Sequence, residues 1–171
     1  MSERMQVDSA TFDALREFPA RLERFYAAIA HGAESWRPDS WHGIPSEPFT
    51  PIEQLCHLRD IEIDGYHVRF ARTLHEHEPV LANIDGEALA RERDYARADA
   101  ARVLAQFREA RAQTLRSIET FTPEQLQRRA QFDGARTTLR GLVHLLCSHD
   151  QQHLSGLQWL LARIDAARAA A

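Results

Sequence analysis

Residues 138–167, TLRGLVHLLCSHDQQHLSGLQWLLARIDAA, form the longest apolar-periodic segment of the chain. Leu142, Leu145 or Leu146, His149, His153, Gly156 or Leu157, and Leu160 recur at three- and four-residue intervals. That is the stripe of one helix face, so the segment reads as a long helix starting at Thr137 or Thr138 and running to about Ala167. Its apolar face carries two imidazoles one turn apart. Polar rings on a core-facing stripe need partners, and either carboxylates or a single metal ion shared by both can supply them. With nine histidines in 171 residues, the His-x-x-x-His spacing alone is weak evidence, so the rest of the chain must decide.

Working outward, helical periodicity dominates and strand-like alternation is hard to find. A first helix is predicted from about Thr11 to Ala30, with Phe12, Leu15, Phe18, Leu22, Phe25 and Ile29 inward. Pro19 removes a backbone donor there, which predicts a kink or a second helix start. The proline- and glycine-containing stretch after it is a long connection, with Trp36, Trp41 and Phe49 pinning it to the core. Thr50, Pro51 and Glu53 spell a capping box with proline at the first helical position, opening a second helix that Glu78-Pro79 stops near His77. A short helix near Asp85 to Arg93 follows. A third helix is expected from about Arg97 to Phe121, with Val103, Leu104, Phe107, Ala110, Leu115 and Ile118 inward and arginine and glutamate outward. Thr122-Pro123-Glu124-Gln125 opens one more turn, and QFDGARTT reads as a loop. The fold class is therefore all-α, a four-helix bundle with long connections after helix 1 and between helices 2 and 3, in a single domain over residues 1–171.

Composition narrows the function. Hydrophobic residues make up 44% and charged residues 27%, as in an ordinary globular protein, and the net charge of -4 with no basic stripe argues against a nucleic-acid partner. All 21 basic residues are arginine, which excludes a lysine Schiff base. The opening MSERMQVDSATFD lacks the apolar run of a secretory signal, and no stretch is long and apolar enough to span a membrane. Cys56 and Cys147 read as inert thiols of a cytoplasmic protein rather than a disulfide.

His57 is the third histidine of interest. It lies on the helix 2 face that runs Glu53, His57, Asp60 or Ile61, and Asp64. The carboxylates of Glu53, Asp60 and Asp64 are candidates to accept the free ring N–H of a metal-bound histidine, or to act as bases; they also read as a solvated acidic edge. His67 and His144 fall off the two faces, and His31, His42, His75 and His77 lie in or near connections. Trp36, Trp41 and His42 are candidates to roof the site.

Leu55-Cys56-His57-Leu58, Phe121-Thr122-Pro123-Glu124-Gln125-Leu126, the run Thr138 to Leu146 and His149-Asp150-Gln151-Gln152-His153 together resemble, in order and spacing, the DinB-like superfamily of bacterial four-helix bundles. The resemblance extends over nearly the whole chain. It implies a metal triad of His57, His149 and His153 holding one divalent ion, with zinc, nickel or iron as the alternatives. It also implies metal-dependent S-transferase or isomerase chemistry with a low-molecular-weight thiol such as bacillithiol or mycothiol as co-substrate, a small-molecule substrate, and a homodimer. The leading reading is a metal-dependent thiol S-transferase; the alternatives are a non-catalytic dimeric stress or ligand-binding bundle with a structural metal or none, and a metal-dependent hydrolase.

Overall fold

The computed structural model describes residues 6–170. Residues 1–5 and 171 of the expected 1–171 domain, including the start of the stretch read as lacking a signal, lie outside the described residues. The elements are α1 (Ser9–Ala27), α2 (Pro51–Asp60), a π-helical segment (Ile61–His67), α3 (Val68–His75), β1 (Val80–Leu81), α4 (Gly86–Glu92), a 3-10 turn (Tyr95–Arg97), α5 (Ala100–Thr120), α6 (Pro123–Leu126), β2 (Arg129–Phe132), β3 (Ala135–Thr138) and α7 (Leu139–Ala169).

Helix starts follow the capping chemistry. Asp8, Thr50, Asp85, Asp99, Thr122 and Thr138 each accept a hydrogen bond from the third backbone N–H beyond them, and Thr50–Glu53 and Thr122–Gln125 close reciprocal boxes. Four long units make the bundle: α1, the continuous run from α2 through α3, α5 and α7. Helices α1 and α2 each pack on both α5 and α7, so α1 and α2 sit at opposite corners. The connection from α1 to α2 crosses one diagonal and that from α5 to α7 the other, whereas the long connection from α3 to α5 joins neighbouring units of the bundle.

One expectation is narrowed and two are corrected. α1 is one continuous helix through Pro19, with no second start. Proline cannot donate to the carbonyl four residues back, that of Leu15. The Arg111 guanidinium donates to that oxygen instead, at 3.0 Å, so the missing backbone bond is made good from another helix. The second helix is interrupted by the π-helical segment, whose i→i+5 bonding slows the rotation of side chains about the axis. Finally, QFDGARTT is a β-hairpin rather than a loop. β2 and β3 pair antiparallel with Phe132 opposite Ala135, and β1 adds in parallel to the edge of β2. Asp133 and Gly134 both have positive φ, 52° and 73°, as a two-residue type I′ turn requires. Strands of two to four residues are too short to show alternation in sequence.

The core falls into two apolar clusters, one around Phe18, Leu55, Phe107 and Leu157, the other around Leu15, Ile61, Phe70 and Leu142. Between them lies a polar layer. Arg111, expected on the outer face of its helix, is fully buried. Its Nε donates to Glu62 Oε1 (2.8 Å), one Nη to Asp150 Oδ2 (2.8 Å) and the Leu15 carbonyl, and the other Nη to Glu62 Oε2 (2.9 Å) and Asp150 Oδ1 (3.0 Å). All five guanidinium N–H groups are thereby used. Thr114 also donates to Glu62, and His67 Nε2 lies 2.9 Å from the Thr114 hydroxyl. Burial pushes the Asp150 carboxyl up to about 7 against the pull of Arg111. Among the described residues no helix is long and apolar enough to cross a membrane.

Candidate metal centre

His57 is presented by α2, and His149 and His153 by α7. Each offers a ligand atom within 4.8 Å of the others, a group that can hold one metal ion. His57 Nε2 and His149 Nε2 are 3.2 Å apart, and the three rings lie with centroids 4.4–5.3 Å from one another. His57 and His153 are buried and His149 is half-buried. Burial, reinforced by the neighbouring imidazoles, pulls His57 down to about 3 and His149 well below its ordinary value. Both rings are therefore neutral at pH 7, with lone pairs available to a cation.

The tautomer of His153 follows from its surroundings. Gln54 directs its amide N–H groups at the Ser46 hydroxyl (2.9 Å) and the Phe49 carbonyl (3.3 Å). Its Oε1 therefore faces His153 Nδ1 at 2.6 Å and accepts that ring N–H. The lone pair is left on Nε2, on the side of the other two rings. Gly156 makes room for this brace, because a Cβ there would run into Ser46 and come within 3.2 Å of Gln54 Nε2.

The long connection supplies an acid that sequence reasoning missed. Glu47 Oε2 lies 3.1 Å from His153 Nε2, and Oε1 lies 3.8 Å from His57 Nε2. Neither Glu47 Oε2 nor His153 Nε2 has a hydrogen-bond partner, so the approach is close but not aligned for a hydrogen bond. His153 Nε2 is thereby left free to take a cation, with the Glu47 carboxylate beside it.

The acids chosen from the sequence are employed elsewhere. Glu53 closes the helix cap and pairs with Arg37 at 2.7 Å. Asp60 accepts from Arg59, from the Tyr95 hydroxyl at 2.6 Å and from Arg93. Asp64 pairs with Arg93 at 2.8 Å. None accepts a histidine N–H, and His57 Nδ1 has no partner among the described residues. The edge of that ring packs against Gly86 and Phe49 instead. Trp36 and Trp41 pack on the core, Trp41 stacking on Trp159, while His42 is exposed. Both cysteines are free thiols; burial raises Cys56 to about 12, which keeps it protonated.

A cavity of about 280 Å³ opens beside His57 and His149, lined also by Glu47, Tyr66, Arg69, Ile84 and Phe132. Phe132 of β2, Asp133 of the hairpin turn, and Asn83 and Ile84 after β1 form part of its wall, so the hairpin shapes the approach to the histidines.

The family model of the DinB superfamily matches residues 14–156. The chain belongs to the DinB superfamily. No curated protein is significantly similar in sequence. Among solved structures, this chain is similar to YfiT from Bacillus subtilis, described as a probable metal-dependent hydrolase with an unusual four-helix bundle topology. The TM-score is 0.80 at 21% identity, covering 96% of this chain and 90% of that one. That likeness establishes the shared bundle. The matched family region contains all three histidines and the connection that carries Glu47.

Proposed function

We propose that His57, His149 and His153 hold one divalent metal ion and that this DinB-superfamily protein is a metal-dependent hydrolase of small molecules. The observation that carries the reading is Glu47, a carboxylate facing the open lone pair of His153 without a hydrogen bond of its own to that ring. A divalent ion held by three neutral imidazoles would bring the pKa of water reaching it towards neutrality, and would deprotonate a thiol outright. Either one gives up a proton on binding, and a carboxylate beside the site would accept it. Glu47 Oε2 is the nearest candidate for that acceptor, and Gln54 keeps His153 in the tautomer that presents Nε2. The description of YfiT agrees with this reading. Three imidazoles suit zinc, nickel and iron alike, so the donor set does not choose among them.

Protein purified without a histidine tag and loaded with metal should cleave small esters or amides with no thiol added. Glu47→Gln should keep its metal and lose about 100- to 10,000-fold in kcat. Full activity in that variant would remove the base assignment. Turnover only with a low-molecular-weight thiol would replace hydrolysis with S-transfer. Fully folded protein that takes up no metal would favour the non-catalytic bundle.

Gly86 offers a second test of the site. It starts α4 with its backbone outside the left-handed region, so alanine is conformationally acceptable there. A Cβ would nevertheless sit 2.8 Å from His57 Cε1 and 2.9 Å from Nδ1. The ring must move, and Phe49 at 3.3 Å limits where it can go. Gly86→Ala should weaken metal binding by about tenfold or more, an effect of the size seen when the support of a ligand is disturbed. Metal titration against a chelator would measure it. Unchanged affinity would show that His57 is not held by this contact.

A further inference from the structure

Arg69, the second residue of α3, lines the same cavity as His57 and His149. It is only 4% exposed, yet among the described residues no carboxylate lies within ion-pair distance of it. One terminal nitrogen donates to the Ala82 carbonyl at 3.3 Å, the neutral Tyr66 hydroxyl is a further polar neighbour, and the Nε–H has no partner. The guanidinium carbon sits 4.2 Å from the centre of the Phe132 ring and 4.8 Å from that of Tyr66. Aromatic contacts of this kind cover the faces of the planar cation and leave its donors at the edge. Gly65 provides the room, since a Cβ there would lie 3.1 Å from one terminal nitrogen. The contrast with Arg111 is informative. That buried arginine spends all five donors on two carboxylates and a carbonyl, whereas Arg69, also buried, is left without an anion. A buried cation is costly when it lacks a counter-charge, so a cation of this kind beside a cavity suits an anion brought by a ligand. The acids lining the same cavity do not fill the role: Glu47 faces His153, and Asp133 is exposed and accepts from Asn83.

We infer that Arg69 is a carboxylate-recognition residue of this cavity, so that the small molecule processed beside the three histidines carries an anionic group. This substrate class rests on the hydrolase reading; the anion site itself does not. The π-helical segment makes the pairing geometrically natural. In a regular α-helix, positions 57 and 69 would point about 120° apart. The slower rotation through Ile61–His67 brings Arg69 back towards the side of His57, and both line one cavity.

The test uses succinate against uncharged succinamide, with binding measured by calorimetry and the Arg69 Nε–H followed by nitrogen-15 NMR. It is run on both the metal-free and the metal-loaded protein, with metal content determined independently. Succinate should shift the Arg69 Nε–H and bind at least about tenfold more tightly than succinamide in the metal-free form, as charge-assisted hydrogen bonds imply. Arg69→Gln should abolish that preference, and Arg69→Lys should restore part of it, with metal content unchanged in both. Equal binding of the two probes by the wild type would overturn the inference, as would a preference that survives in Arg69→Gln. Normal succinate recognition in protein that takes up no metal would leave the anion site standing and defeat the hydrolase reading alone. A further arm compares 3-mercaptopropionate with 2-mercaptoethanol. An Arg69-dependent preference there without one for succinate would assign the carboxylate to a thiol co-reactant and overturn the substrate assignment.

Discussion

His153→Ala folds and loses its metal. The ring is fully buried, its Nδ1–H is held by Gln54 at 2.6 Å, and its Nε2 faces the other two histidines and Glu47. Disturbing the partner that braces a ligand typically lowers metal affinity about 10- to 100-fold, so removing the ligand should exceed the top of that range. Elemental analysis after dialysis against a weak chelator would show wild-type protein with one ion per chain and the variant near zero, while circular dichroism shows the same helical content. Gln54→Leu should fall between them, because it frees the tautomer without removing the ligand. Full occupancy in His153→Ala would defeat the three-histidine assignment and with it the proposed hydrolysis.

The second large effect lies away from the histidines. Arg111→Met leaves Glu62 and Asp150 buried with no counter-charge, and also strips the Leu15 carbonyl of the donor that replaces the one Pro19 lacks. Removing one partner of a buried ion network costs about 3–5 kcal/mol. For a domain of this size that is roughly 10 °C in Tm. Combining Arg111→Met with Glu62→Gln and Asp150→Asn should recover much of the loss, since the neutralised side chains no longer strand a charge. Urea denaturation of the single and triple variants measures both. A single-variant cost below about 1 kcal/mol would show that the network is not a structural tie.

Particular residues show where the sequence was legible. Thr50-Pro51-Glu53 and Thr122-Pro123-Gln125 announced helix starts because capping is a local exchange of hydrogen bonds within four residues. His149 and His153 were readable as neighbours because both lie on one regular helix, and His57 joined them because it precedes the π-helical segment. Beyond that segment the α-helical angle no longer applies. Asp64, placed on the His57 face by periodicity, pairs with Arg93 instead, and Arg69 went unnoticed. Arg111 carried a signal that charge obscured: it stands four residues after Phe107 and seven before Ile118, both buried. Asp133-Gly134 likewise carried the two-residue hairpin turn in residues read as a loop.

Local chemistry in the sequence by itself determined the four long helices, their caps, and the two helices that carry the histidines. Such features depend on contacts within a turn or on a repeating face, and both are written in adjacent residues. Only the tertiary structure decided which acid stands beside the site, which cation lines its cavity and how the core charges are neutralised. Glu47, Arg69 and the Arg111 layer meet their partners across elements separated by long stretches of chain. Nothing in the periodicity of any one helix encodes a meeting that depends on how the others pack.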